Sequence, residues 1–136
     1  KELNLDTGLV NYSINGKVEL TFNPSDADFA RNLYSAINHL ETKHKEYQKM
    51  AQKVDAVEFF DLSKKIDKEI IDEAFKQPIC DTLFGSMNLY SMANGLPVWC
   101  RLFLAIIDEM DGAAAAERNK MKAAISKYTA KYNKSK

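Results

Sequence analysis

Cysteine, proline and glycine are scarce in this sequence, with two, three and five residues respectively among 136. So few glycines and prolines argue against a loop-rich all-β chain, which needs many turns. Cys80 and Cys100 lie in apolar stretches, and their spacing fits neither a zinc site nor a thioredoxin-type motif. We therefore expect both thiols to be reduced and buried in a cytosolic protein, and a disulfide between them is the alternative.

Long apolar runs and net charge are also missing. The longest apolar run, Leu96 to Ile107, contains Arg101 and falls well short of the ~20 residues that cross a bilayer. The first six residues lack the apolar core of a signal peptide. Nineteen basic residues balance nineteen acidic ones, which argues against a surface devoted to nucleic acid or membrane. We expect no membrane partner and no nucleic-acid partner.

Residue types that carry catalysis are not arranged for it. His39 and His44 are five apart, so on one helix they point to different sides and do not form a metal pair. The sequence has no glycine-rich phosphate loop and no Gly-x-Ser-x-Gly motif. We expect carboxylates such as Asp67, Glu69 and Glu73 to lie on solvated helix faces. The sequence thus predicts a protein that is not an enzyme, with no metal site, cofactor or catalytic residue.

Apolar residues make up 46% of the chain and charged residues 28%, which predicts one globular domain over residues 1–136. Its first part is a β-hairpin over residues 9–22. Asn15-Gly16 suits a type I′ turn, and Val18, Leu20 and Phe22 alternate with polar residues. We predict a mainly α protein with a small N-terminal β-hairpin (α+β).

The helical body is predicted over residues 24–111. Asn23-Pro24 resembles a helix start, with Asn23 as the cap, and an apolar stripe then continues to about Ala51. Residues 55–58 have the form of a capping box, which predicts a second helix to about Lys76; one bent helix of about fifty residues is the alternative. The stripe expected to face the core on this second helix consists of Phe59, Leu62, Ile66, Ile70 and Ala74.

Residues 78–84 and 87–93 are predicted to form two short helical pieces, because Gly85 and Asn94-Gly95 act as stops. Pro97 then begins a helix over about residues 97–110 that is apolar nearly all round. A helix without a polar face is expected at the centre of a compact helical bundle. Gly112 is expected to end it, before a separate basic C-terminal helix over residues 113–133.

The charge balance changes along the chain. Residues 117–136 hold seven basic residues and one acidic residue, while the first 116 residues have a net charge of −6. The basic side chains include Lys127, Lys131 and Lys134 of the tail. A basic helix packed on the acidic body is one interpretation, and a frayed tail that contacts a partner or nucleic acid is the other.

A candidate binding surface comes from the block between Gly85 and Trp99. We name Met87, Tyr90, Met92, Leu96 and Trp99 the predicted docking patch. Flexible methionine side chains adapt to varied partners, and exposed apolar groups mark interaction sites. The competing interpretation is that these residues pack around the central helix.

The most specific part of the sequence is FGSMNLYSMANGLPVWCRLFLAIIDEMD, residues 84–111. This block, together with the N-terminal strand-Asn-Gly-strand pattern and the stretch 22–29, resembles a family of small proteins encoded among the tail genes of tailed phages and prophages of Gram-positive bacteria. The resemblance covers nearly the whole chain in order. It implies a helical tail assembly chaperone that keeps the tape-measure protein soluble in the cytoplasm of the bacterial host. It carries over no catalytic residue.

A second hypothesis is a phage protein that interacts with host defence. Such a protein would inhibit a CRISPR or other antiphage system, or be the trigger that the system senses. Acidic residues spread over 55–81 and gathered at Asp108 to Asp111 provide a possible DNA-mimicking surface. Under either hypothesis the partner is another protein, and the helical stripes also permit a homo-oligomer.

Overall fold

The computed structural model describes residues 1–50 and 56–134, and the side chains of these residues except at 50, 56–60, 125 and 127–134. The protein is mainly α with a small N-terminal β-hairpin, as predicted. In chain order the elements are β1 (Val10–Ile14), β2 (Val18–Phe22), α1 (Ala27–Met50), α2 (Ala56–Phe75), α3 (Cys80–Phe84), β3 (Met92–Ala93), β4 (Leu96–Pro97) and α4 (Val98–Lys134).

The N-terminal hairpin forms as the sequence predicts. Asn15 and Gly16 have φ values of 55° and 66°, the left-handed conformation that this turn requires. β1 and β2 pair antiparallel, with Tyr12 opposite Leu20. Leu20 and its neighbours Val18 and Phe22 on β2 are buried, so one face of the hairpin covers the helices.

The second Asn-Gly pair also forms a hairpin, which corrects the prediction of a short helix over residues 87–93. Asn94 and Gly95 have φ values of 54° and 90°, and they join β3 to β4 in an antiparallel pair. The dipeptide adopts positive φ at both positions here as it does in the first hairpin. Positive φ at two successive residues reverses the chain more readily than it ends a helix.

Helix α1 begins three residues later than predicted. The Asn23 carboxamide oxygen accepts a hydrogen bond from the Ser25 backbone N–H within the preceding turn. The residue that caps the helix is Asp26, whose carboxylate accepts from the Asp28 backbone N–H at 2.9 Å. The helical body thus starts at Ala27 rather than at residue 24.

Helices α1 and α2 pack against each other, which confirms the prediction of two helices over one bent helix. The Tyr47 hydroxyl on α1 reaches Asp67 on α2. The predicted capping box lies outside the described residues, since Asp55 is not among them and the side chain of Glu58 is not described.

The stripe predicted to face the core on α2 is displaced around the helix. Leu62 and Ile66 are exposed and Ile70 is only half-buried, whereas Ser63, Asp67 and Ile71 are buried. Ala74 is buried as predicted, and Phe59 lies among the residues whose side chains are not described. The buried face of α2 thus includes Asp67, whose polar contacts are with α1.

Helix α4 is continuous through Gly112, which corrects two predictions, the helix end there and the separate helix over 113–133. Glycine inside a helix costs only about 1 kcal/mol relative to alanine, and the four alanines that follow are strong helix formers. Asp108 to Asp111 therefore lie in the middle of the helix and not at its negatively polarised end.

The first half of α4 is not surrounded on all sides, contrary to the prediction for a central helix. Phe103 and Ile106 are buried, but Arg101, Leu104 and Ala105 are exposed. Part of the open face of α4 lies beside β1, where residues of both elements line one concave surface.

A single cluster of buried side chains joins the hairpin to all four described helices. Neighbouring aromatic rings run through this cluster with centroids 4.3 to 6.4 Å apart, a range that includes favourable offset and edge-to-face contacts. In spatial order the rings are Tyr12, Phe22, Phe29, Phe75, Phe103, Trp99, Tyr90 and Tyr47.

Candidate functional site

The segment between α3 and α4 carries the predicted docking patch, and backbone hydrogen bonds hold it against the start of α4. Gly85 ends α3 with a φ of 59°. The Val98 N–H then donates to the Ser91 carbonyl at 2.8 Å, and the Trp99 N–H donates to the Leu89 carbonyl at 3.2 Å. These bonds close the segment into a compact loop with the β3–β4 hairpin at its tip.

Two lysines of α2 hold the beginning of this loop. The Lys68 ammonium donates to the Gly85 carbonyl at 2.6 Å and pairs with the Asp81 carboxylate at 2.8 Å. The Lys64 ammonium donates to the Ser86 carbonyl. Hydrogen bonds from a charged donor are stronger than those between neutral groups, so the loop is joined firmly to α2.

Arg101 of α4 holds the other side of the loop. Its guanidinium donates to the Ala93 carbonyl at 2.9 Å and to the Asn94 carbonyl. The β3–β4 hairpin is therefore joined to α4 by side-chain as well as backbone hydrogen bonds. The residue that interrupts the apolar run in the sequence has this structural role.

The structure divides the predicted docking patch into three classes of exposure. Met87 and Met92 are exposed, with 47% and 66% of their surface accessible. Tyr90 and Leu96 are half-buried. Trp99 is 4% exposed and belongs to the core, which corrects its assignment to a surface patch. We call Met87 and Met92 the methionine pair.

Tyr90 joins the patch to the helical body. Its hydroxyl donates to the Leu40 carbonyl of α1 at 3.0 Å, and its ring stacks on His44 with centroids 5.0 Å apart. Burial, followed by the negative charge of Asp67, raises the pKa of the Tyr90 phenol above its ordinary value. The ring thus acts as a neutral packing group between the loop and α1.

A buried polar cluster joins α1 to α2 beneath the same loop. Asp67 is 1% exposed, and its carboxylate accepts a hydrogen bond from the Tyr47 hydroxyl at 2.5 Å. Lys43 places its ammonium 3.1 Å from the other carboxylate oxygen. Burial, and next the hydrogen bond to Asp67, raise the pKa of the Tyr47 phenol. The result is a buried ion pair that joins α1 to α2.

The buried position of Asp67 corrects the expectation that it lies on a solvated helix face. Asp67 lies four residues from both Ser63 and Ile71, and therefore on one helix face with them. A lysine and a tyrosine four residues apart on α1, Lys43 and Tyr47, supply the matching partners. Burial of a carboxylate is a tertiary property, so the amphipathic pattern alone gives no signal for it.

The two cysteines are free thiols. Cys80 is buried, and burial followed by the nearby charge of Asp72 raises the pKa of its thiol. Burial also raises the pKa of the half-buried Cys100. A raised thiol pKa disfavours the reactive thiolate, so the environment of both residues suits packing.

The remaining predicted site residues lie on α4. Lys127, Lys131 and Lys134 belong to its last turns, and their side chains are outside the described part of the structure. In the described residues, no group of three His, Cys, Asp or Glu side chains is placed to hold a metal ion. None of the helices described is long and apolar enough to cross a membrane.

Comparison of the chain with protein-family models, with curated proteins and with solved structures finds no match.

Proposed function

We propose that this protein acts without catalysis, by binding another polypeptide through the methionine pair and the accessible parts of Tyr90 and Leu96. The observation that carries the proposal is the exposure of Met87 and Met92 on a loop that hydrogen bonds hold on both sides. Two large apolar side chains thus remain exposed on a well-supported backbone.

The physical properties of this surface suit an adaptable protein contact. Methionine is unbranched and polarizable, so it fits helices of differing sequence. The loop beneath it is already ordered, which lowers the conformational entropy lost on binding. Tyr90 of the loop packs edge-to-face against Trp99 of α4, with the ring centroids 6.4 Å apart.

In its specific form, the proposal is a tail assembly chaperone that binds the tape-measure protein in the cytoplasm of the bacterial host. This form rests on the resemblance of residues 84–111 to phage tail-gene proteins. A long helical tape-measure protein exposes apolar stripes until the tail tube covers it, and a surface of methionines could bind such stripes. The role needs neither a cofactor nor a reactive side chain.

Co-expression with the tape-measure protein of the same phage genome tests the proposal. We expect the wild-type chain to bring the tape-measure protein into the soluble fraction as a complex, and Met87→Glu/Met92→Glu to abolish this effect. Met121→Glu is the matched control, because Met121 is a similarly exposed methionine on the distant part of α4. The chaperone role is refuted if the tape-measure protein stays insoluble at equal expression of the wild-type chain. The assignment to the methionine pair is refuted if the double variant still solubilises it.

The alternative, an interaction with host defence, has one supporting observation. Asp108, Glu109 and Asp111 are all exposed on α4, which gives a short acidic surface. Inhibition of a defence nuclease by the wild-type chain, and its loss in Asp108→Asn/Asp111→Asn, would favour this function over the chaperone role.

A further inference from the structure

The N-terminal hairpin has one covered edge and one open edge. On β2, the Gln77 side chain donates to the Glu19 carbonyl at 3.3 Å and accepts from the Thr21 N–H at 3.4 Å. These backbone groups therefore point away from β1. In an antiparallel pair the residues opposite them, Ser13 and Asn11, must point their backbone groups away from β2. β1 pairs only with β2, so within the described residues this edge is unpaired.

A concave surface, which we call the trough, runs along this open edge between β1 and α4. It consists of two adjoining regions of about 470 and 660 Å³ that share Tyr12 as a lining residue. Its α4 side includes the small residues Ala105, Ala113 and Ala116, with charged residues such as Glu109, Glu117 and Lys120 between them. Small side chains on the helix leave the space that the side chains of an additional strand would occupy.

The chain itself contains a segment with the properties of such a strand. Residues 1–6, which we call the leucine segment, lie outside any helix or strand. Leu3 and Leu5 are 86% and 85% exposed and alternate with Glu2, Asn4 and Asp6. Alternation with period two gives a strand one apolar face and one polar face.

We propose that the leucine segment of one copy pairs with the open edge of β1 in a second copy, and that Leu3 and Leu5 then fill the trough. Six residues of strand span roughly 20 Å and the five residues of β1 roughly 17 Å, so the lengths match. Directly paired residues project to the same face of a sheet. Pairing of Asn4 with Asn11 or Ser13 thus keeps the asparagine in solvent and places both leucines over α4.

The occupant is a second copy because Leu3 and Leu5 of the same chain lie outside the trough, although the end of their segment, Asp6, lines one of its two regions. The Thr7 carbonyl accepts a hydrogen bond from the Asn23 side chain at 3.0 Å. Gly8 has a φ of 70°, and a Cβ there would lie only 2.8 Å from the Asn23 amide nitrogen. In this conformation Leu3 and Leu5 stay exposed and leave the trough of their own chain open.

Each copy then offers one donor segment and one acceptor edge, which are different surfaces. Such a contact closes as a dimer when two copies exchange segments, and otherwise continues into a ring or filament. Strand addition is a common mode of recognition, since backbone hydrogen bonds supply affinity and alternate side chains supply register. The contact is independent of the methionine pair.

Sedimentation velocity of the full chain tests the proposal, with two variants that remove opposite halves of the contact. Leu3→Asp/Leu5→Asp removes the donor, and Ser13→Pro removes an outward N–H of the acceptor. Ala105→Arg fills the trough from an exposed helical position, so it serves as the acceptor variant should proline unfold the hairpin. Leu3→Val/Leu5→Val is the matched control, because it keeps both apolar side chains.

We expect the wild type and the valine control to associate at micromolar concentration. Each donor or acceptor variant should weaken association about a hundredfold or more, since each buried leucine contributes roughly tenfold or more. An equimolar mixture of the donor and acceptor variants should associate again, because one intact contact is rebuilt between them.

A wild-type chain that is monomeric at about 100 μM overturns the proposal, because this concentration is well above the dissociation constants of specific interfaces. So does a mixture that stays monomeric. Met87→Glu/Met92→Glu should associate normally, which separates this contact from the proposed function.

Discussion

Removal of the ammonium group from the buried ion pair should strongly destabilise the protein. Lys43→Met leaves the Asp67 carboxylate, which is 1% exposed, without its ammonium partner, while the Tyr47 hydroxyl still donates a hydrogen bond to it. Loss of one partner from a buried ion pair costs 3–5 kcal/mol. The Lys43 side chain is 14% exposed, so we expect a cost at the lower end, about 3 kcal/mol of unfolding free energy.

Removal of the negative charge of Asp67 should lower the free energy of unfolding by less than removal of the Lys43 ammonium does. Asp67→Asn keeps an oxygen that accepts from the Tyr47 hydroxyl, and the freed Lys43 ammonium can extend to water along its flexible stem. We expect a loss of about 1–2 kcal/mol. The double variant Lys43→Met/Asp67→Asn buries no net charge. Its cost should therefore fall about 2 kcal/mol below the sum of the two single costs.

Guanidinium unfolding followed by far-UV circular dichroism and by fluorescence of Trp99, the single tryptophan, measures these energies. Lys120→Met is the control, since Lys120 pairs with Glu117 at 3.8 Å on the surface and its loss should cost under about 1 kcal/mol. A coupling energy near zero, with Lys43→Met as mild as the control, would show that the two charges do not stabilise the α1–α2 contact.

Two further predictions concern alkaline pH and glycine. The pKa values of Tyr47 and Cys80 are raised on folding from ordinary values of 10.0 and 9.0. The folded state therefore keeps protons that the unfolded state loses, and stability should fall above pH 9 by up to about 1.4 kcal/mol per pH unit for each group. Unfolding curves from pH 8 to 11 measure this slope, and a slope in Tyr47→Phe equal to that of the wild type would contradict it. Gly112→Ala should stabilise α4 by about 0.5–1 kcal/mol, since nothing lies within 4 Å of a Cβ there. Gly95→Ala should destabilise by about 1 kcal/mol or more because φ is 90°. Thermal melts compare the two variants directly: the Tm should rise in Gly112→Ala and fall in Gly95→Ala. Tm shifts of the same sign would contradict these two predictions.

Local features of the sequence predicted local structure well. Asn15-Gly16 and the alternation of β2 predicted the first hairpin, and Gly85 marks the end of α3. Asn94-Gly95 carries the same turn signal as Asn15-Gly16, and it joins β3 to β4 where a helix end is the other structure that this dipeptide indicates. Gly112 does not end α4, because the free-energy cost of one glycine in a helix is small beside the helix propensity of the alanines after it.

The candidate site was predictable in part. The sequence located an apolar, methionine-containing loop, and Met87 and Met92 are exposed there. It could not separate these residues from Trp99, because all three are large apolar residues in one short stretch. Exposure depends on which neighbours fill the space around each side chain, and those neighbours come from α1 and α2.

The sequence by itself determined the mainly helical class and the positions of most turns, because propensity, capping and glycine act over a few residues. Only the tertiary structure decided that Asp67 is buried, that Trp99 belongs to the core and that β1 has an open edge beside α4. Each of these depends on contacts between residues distant in the chain. Their free energy comes from desolvation and from matched polar partners, which a local pattern does not contain.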